Sequence, residues 1–243
     1  DGVVTITACD IDTEGVLEIP ATIEGAPVTA IGDGAFYGCR LLTKIIIPDS
    51  VVSIGKDAFC ACKALPSITI PQSVTSIGHN AFGECNQLTA IQVDEDNAAF
   101  CDVDGVLYNK DKTELVRVPN HYTSGTFTIP NSVHTIGSRA FFGCVISDVV
   151  IPDSVTAIKS NAFHFCAGLT KITLPDSLTA IDYGVFSSCI ALVSVTLPKA
   201  LQSIGQLSFS GCISLQQMVI PDSVREIGAG AFAGCSSLTK VNI

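Results

Sequence analysis

The sequence predicts an α/β repeat solenoid, with a parallel β-sheet on one face and short extended segments and short helical or 3₁₀ turns on the other. Two observations carry this. A phrase of the form Ile-Pro-Asp-Ser-Val-x-x-Ile-Gly-x-x-Ala-Phe-x-x-Cys-x-x-Leu-x-x-Ile recurs about every 23 residues, and a fixed period of that size marks a stack of like structural units. Inside each unit, apolar and polar residues alternate over a short run and then stop at a proline, the pattern of a half-buried strand with a defined end. A single coil of this kind cannot bury its own apolar side, so each must stack on its neighbours.

The register is regular. The Phe of the Ala-Phe pair falls at Phe36, Phe59, Phe82, Phe141, Phe163, Phe186, Phe209 and Phe232. The Cys three places later falls at Cys39, Cys62, Cys85, Cys144, Cys166, Cys189, Cys212 and Cys235. Most steps are 23 residues; the step from Phe141 to Phe163 is 22, and that from Phe82 to Phe141 is 59.

The unit from Leu169 to Phe186 shows how one coil is expected to form. Ile172 and Leu174 point inward while Lys171 and Thr173 point out. Pro175 ends the strand because it has no N–H to donate. Asp176 and Ser177 turn the chain, since both side chains can bond local backbone amides. Leu178 and Ile181 return to the core on a second extended segment. Val185-Phe186 opens a short helical or 3₁₀ turn that carries Cys189 and Leu192 back inside.

The whole chain, 1–243, is expected to be one repeat domain. Residues 1–20 depart from the phrase and cap the apolar end, and residues 20–93 hold the first repeats. Residues 94–128 hold a β-hairpin insert in a modified coil, where Asp94 replaces the proline. Its strands are Gly105-Val106-Leu107-Tyr108 and Glu114 to Pro119, joined by the polar turn Asn109-Lys110-Asp111-Lys112. Residues 129–243 hold the later repeats. The last of these stops in mid-repeat at Val241-Asn242-Ile243, so a natural continuation beyond Ile243 is expected.

Composition narrows the function. A net charge of −10 opposes binding to nucleic acid, whose phosphates need basic surfaces, and to an anionic membrane. Apolar residues make up 47% of the chain but are spread periodically, and no run is long enough to span a membrane.

The recurring phrase resembles the BspA-like leucine-rich repeats of bacterial surface proteins, and the match covers nearly the whole chain. Gly25-Ala26-Pro27-Val28-Thr29-Ala30-Ile31-Gly32 is similar to the family's first-repeat opening, and Asp104-Gly105-Val106-Leu107-Tyr108 to its hairpin insertion. The resemblance implies the leucine-rich-repeat right-handed superhelix and an extracellular or surface-anchored protein. It also implies, for some members, adhesion to a host matrix protein or a neighbouring cell. It supplies no catalytic residue, because the family pattern contains none. Lys159 and Asp182 in place of Gly, Val185 and Ser208 in place of Ala, and Lys199-Ala200 in place of Asp-Ser are departures that the fold is expected to tolerate.

Residues with chemical potential mostly have a plainer account. A cysteine row 23 residues apart lacks the close pairs of a zinc site. Stacked coils would bring neighbouring Cα atoms within disulfide range, but with parallel Cβ vectors that suit the bond poorly; buried, reduced thiols are expected. Cys9, Cys60 and Cys101 lie off the row, and an odd total of eleven excludes pairing all of them within the chain. Asp49, Asp153, Asp176 and Asp222 read as turn residues rather than calcium ligands, which must converge in larger number. The acidic stretches Asp94-Glu95-Asp96 and Asp102/Asp104 are a better calcium candidate, though still a weaker one than a turn. His79, His121, His134 and His164 fall at unrelated phases of the repeat and form no catalytic set. No metal, cofactor or catalytic residue is therefore assigned.

What remains is a binding surface. The outward rows of the main sheet hold Lys171, Thr173, Ser194 and Thr196, and the insert holds Tyr108, Arg117, His121 and Tyr122. These are the candidate contacts for a protein or glycan partner on a host or neighbouring cell, the chain itself acting as a monomer. The rival readings are a structural spacer presenting another domain and, behind it, a hydrolase or metal enzyme with a pocket beside the insert. The stacked core gives one immediate expectation. Phe163→Ala should cost about 3–5 kcal/mol in a urea melt; a loss below about 1 kcal/mol would mean that no line of Phe rings fills the core.

Overall fold

A computed structural model describes residues 2–122 and 125–242. The expectations placed on Asp1 and Ile243 at the two ends, and on Thr123 and Ser124 within the 94–128 insert, lie outside the described residues. The chain divides into two compact units, residues 1–112 with 117–122, and residues 113–116 with 123–243.

In each unit the coils run through two parallel β-ladders. The first unit pairs Glu14–Glu18 with Leu41–Ile46 and Ser67–Ile70 with Ala90–Val93. Its second ladder stacks Val4–Ile6, Ala26–Ile31, Ser53–Ile54 and Ser76–Ile77. The second unit pairs Thr126–Thr128 with Asp148–Val150, Lys171–Thr173 with Ser194–Thr196, and Gln217–Val219 with Lys240–Asn242. Its short ladders join Thr135–Ile136 to Ala157–Ile158, and Ala180–Ile181 through Ser203–Ile204 to Glu226–Ile227. The parallel-strand solenoid anticipated from the period is therefore present in each unit.

The helical or 3₁₀ turns are not. No helix occurs among the described residues, and the hydrogen bonding shows why. In a helix every N–H returns along its own chain. Around Phe141 the amides alternate instead. Ala140, Phe142 and Cys144 donate three residues back, to Gly137, Arg139 and Phe141, while Phe141 and Gly143 donate to Ala162 and His164 of the next coil. Left-handed residues punctuate the segment, among them Arg139 (φ 58°) and Asn161 (φ 58°), and an L-residue in that conformation stops a helix from propagating.

The core is a column of rings. Phe36, Phe59 and Phe82 stack face to face at 5.2 and 5.8 Å in the first unit. Phe141, Phe163, Phe186, Phe209 and Phe232 stack at 4.6, 5.3, 5.3 and 5.5 Å in the second. Beside it runs a ladder of thiols. Cys62, Cys85, Cys166, Cys189 and Cys212 are buried, and each donates to the carbonyl of the Phe one coil earlier, at 3.0–3.2 Å. The repeat cysteine is thus a hydrogen-bond donor as well as a small apolar filler, and all eleven cysteines are free.

The serine of the Pro-Asp-Ser turn behaves likewise. Ser73, Ser154 and Ser177 donate to Val51, Val133 and Val155 of the preceding coil, at 2.6, 2.8 and 2.5 Å. These hydroxyls bond across coils, not to the local amides the turn chemistry had led us to expect. In the proline-less coil Asn97 takes over, fully buried, giving its amide to Pro71 and Val74 and accepting from Ala99 and Phe100. At Gly78 the stack leaves no room for a side chain, since a Cβ there would lie 2.4 Å from the Lys56 nitrogen, whereas Lys159 and Asp182 occupy the same place in other coils.

Burial, first among the causes, pushes the thiols of Cys85 and Cys39 up to about 12 and that of Cys60 up to about 11, and raises those of Cys62, Cys166 and Cys212 further. The native state then holds protons that the unfolded chain releases at lower pH. Stability is full below the ordinary thiol range and is lost as pH rises from that range to the raised values of about 11–12, by about 1.4 kcal/mol per pH unit for each well-buried thiol. Urea midpoints should be flat from about pH 6 to 8 and fall steeply above about pH 9; a flat profile to pH 11 would contradict the buried ladder.

Candidate functional site

The outer ladder of the second unit is closed in pairs. Ile129 N–H reaches Val150 carbonyl at 3.0 Å, and Leu174 N–H reaches Thr196 carbonyl at 3.0 Å. Between these pairs, Asp148–Val150 and Lys171–Thr173 belong to separate two-stranded sheets, although Thr170 N–H still meets Ser147 carbonyl at 3.3 Å. The seam coincides with the 22-residue step: Cys144 to Pro152 is one residue shorter than Cys166 to Pro175.

Along the seam lies a cleft of about 620 Å³. Its lining combines aliphatic and hydroxylic residues, among them Val150, Thr173 and Thr196, with the charged Asp148, Asp153, Lys171 and Asp176. Val150 is 46% exposed. Asp148 already accepts the Thr126 hydroxyl at 3.2 Å. The first unit has a smaller counterpart of about 290 Å³ between Leu41–Ile46 and Ser67–Ile70. Both combine an exposed β-branched residue (Val150, Ile46), the Asp after the proline (Asp153, Asp49) and a Thr on the following coil (Thr173, Thr69).

The structure brings the four sheet candidates together. Lys171 pairs in register with Ser194, and Thr173 with Thr196; all four are exposed, and Lys171, Thr173 and Thr196 line the cleft. The four insert candidates are placed differently. Tyr108 is 3% and Arg117 4% exposed, and His121 and Tyr122 are half-buried. Arg117 donates to Phe82 carbonyl at 3.2 Å and to the Asn120 side chain, and burial pushes the Tyr108 hydroxyl up to about 12. Neither side chain is available at the surface.

The insert also turns where no turn was expected. Phe100–Val103 pairs antiparallel with Val106–Asn109 around Asp104-Gly105, and both turn residues have positive φ (52° and 76°), as a two-residue hairpin loop requires. The Asp-Gly pair, which opens the segment similar to the family's hairpin insertion, forms a turn of its own ahead of the one expected at Asn109-Lys110-Asp111-Lys112. Its acidic side chains serve the backbone: Asp102 accepts from Val93 and Gly105, and Asp94 from Asp96.

One surface feature went unread. Phe165 is 52% exposed and sits at φ 58°, where four of the eight equivalent positions are Gly. His164 meets its ring edge-on at 4.2 Å and stacks on Phe142 at 5.5 Å, and the Arg139 guanidinium lies 5.2 Å from the Phe142 ring centre. Burial and Arg139 hold His164 below its ordinary pKa. The repeat phrase is silent at these places, so only a column-by-column comparison would have exposed the anomaly.

A family model described as a BspA type leucine rich repeat region matches in six copies, over residues 29–124 and 117–239. The chain belongs to this family. It is similar to a leucine rich cell surface protein from Faecalibacterium prausnitzii A2-165, with 37% identity, a TM-score of 0.83, and coverage of 94% of this chain and 59% of that one. It is also similar to the pneumococcal vaccine antigen PcpA, with 27% identity and a TM-score of 0.68 over 95% of this chain and 50% of that one. A leucine-rich repeat protein from Bacteroides ovatus ATCC 8483 matches at 25% identity and a TM-score of 0.56, over 96% and 65%. No match was found among the curated proteins. The BspA-type chain thus spans between half and two thirds of the length of these relatives. No helix among the described residues is long and apolar enough to cross a membrane.

The buried arginine gives a test of its role. Arg117→Ala would leave the Phe82 carbonyl and the Asn120 side chain short of a donor, and should cost about 2–3 kcal/mol in a urea melt. A neutral result would free Arg117 for a surface role.

Proposed function

We propose that this chain is a non-catalytic binding module of a bacterial cell-surface protein, and that it takes a protein partner on the outer sheet of its second unit. The observation that carries this is the seam cleft holding Lys171, Thr173 and Thr196 together with Asp153 and Asp176. A lining that mixes exposed aliphatic and hydroxylic side chains with charged ones suits a protein interface. A glycan is the less favoured ligand, because no aromatic ring lines the cleft to stack on a sugar. Membership of a repeat family found on bacterial surfaces, and likeness to a named cell-surface protein, support both the location and the absence of catalysis. The domain reading that goes with it is a single repeat module over 1–243, with the insert as part of its framework.

The test is a binding array of host matrix proteins and glycans. It compares the intact chain with Val150→Glu, Thr173→Arg and, as a control away from the cleft, Phe165→Gly, each checked for folding by circular dichroism. The first two should weaken a protein partner at least about tenfold, or about 1.4 kcal/mol, with Phe165→Gly unchanged. Loss only in Phe165→Gly would move recognition to the turn edge. Binding to glycans alone would overturn the choice of a protein partner, and silence across the array would favour the spacer reading.

A further inference from the structure

The thiol ladder has an irregular top. In the interior Cys62, Cys85, Cys166, Cys189 and Cys212 each donate to the carbonyl of the Phe one coil earlier, at 3.0–3.2 Å. Cys39 has no repeat Phe before it. Its sulfur lies instead 3.8 Å from the carbonyl oxygen of Asp10, and the Cys9 sulfur lies 3.5 Å from that same oxygen. Two thiols thus converge on one acceptor.

The other two cysteines off the ladder are placed differently. Cys60 is buried and takes the Asn80 amide at 3.5 Å, and Cys101 lies 3.4 and 3.6 Å from the carbonyls of Asn109 and Lys110. Cys9 is half-buried on a stretch that leaves the repeat register, turning through Asp10 to Thr13. A small reagent can therefore reach Cys9, whereas Cys39 is fully buried directly behind it.

We infer that Cys9 and Cys39 are a disulfide-forming pair that fastens the N-terminal segment to the first full coil in an oxidising compartment. The geometry separates this pair from the ladder. Parallel coils present parallel Cβ vectors, which suit a disulfide poorly, but Cys9 approaches Cys39 from a chain path that is not a repeat coil. Little bonding is lost, because the 3.8 Å contact is longer than the 3.0–3.2 Å thiol–carbonyl contacts of the interior coils. The bond would close residues 9–39 into a loop that contains the cap strand Glu14–Glu18 and the Ala26–Ile31 strand.

The chemistry needs an external disulfide, for example oxidised glutathione. The Cys9 thiol loses its proton to solvent, and the thiolate attacks one glutathione sulfur, expelling the other glutathione as a thiolate. The Cys39 thiol then loses its proton and attacks the Cys9 sulfur, expelling the second glutathione. Two protein thiols are oxidised to one disulfide, and one glutathione disulfide is reduced to two thiols.

The folded chain would be incubated with oxidised glutathione, quenched in acid, unfolded, and counted for thiols by alkylation and mass spectrometry. The expected count falls from eleven to nine. The expected peptide map contains a Cys9–Cys39 link, and amide exchange slows at Val4–Ile6 and Ala26–Ile31. Cys9→Ser should fold normally and keep all ten of its thiols. Retention of eleven thiols, glutathione left standing on Cys9, or a link between two ladder cysteines would each overturn the pairing.

Discussion

The structure rests on side-chain donors that cross from one coil to the one before it. A coil in these units has backbone ladders along two short extended stretches, but its corners carry carbonyls that no strand partner reaches. The serine hydroxyl at one corner satisfies such a carbonyl, and the thiol at another adds a second hydrogen bond to a Phe carbonyl that already accepts the N–H of the Cys three residues on. A buried carbonyl left unpaired is expensive, which favours the serine at its corner; the thiol contributes an added link between coils and a small buried side chain. Where the serine is missing, Asn97 fills the place with four hydrogen bonds of its own. The Phe column stacks through the core of each unit, and the crossing donors tie the coils that carry its rings.

This constraint leaves the outward rows free to vary, and there the units differ along their length. The outer ladder closes in pairs, and the seam left beside the shortened coil is wider than its counterpart in the first unit. Val150 stands exposed in that seam among small hydroxylic neighbours. On the turn edge, Phe165 accepts a left-handed backbone for which the repeat often uses Gly. Both features cost some stability and neither is demanded by the stack, which is why the surface, and not the core, is where function is sought.

Some of the candidate site was legible and some was not. Lys171, Thr173, Ser194 and Thr196 follow from period-two alternation, and their register is what adjacent coils impose. Tyr108 and Arg117 looked like recognition residues because aromatic and guanidinium groups favour interfaces. The same groups also make good core residues when a carbonyl such as that of Phe82 is within reach. Sequence composition does not separate these two uses. The hairpin shows the converse case, since Asp104-Gly105 carries its own local turn chemistry and could have been read without coordinates.

By itself, the sequence determined the period, the inward and outward faces of each strand, and the lines of Phe, Cys and aliphatic side chains, because these depend on residue spacing alone. Only the tertiary structure decided what each line bonds to. The thiols and hydroxyls donate to residues more than twenty places away, the expected helical turns give way to alternating bonds between coils, and the cleft opens where two strands fail to pair. All three depend on the distance between neighbouring coils, a quantity that no single repeat contains.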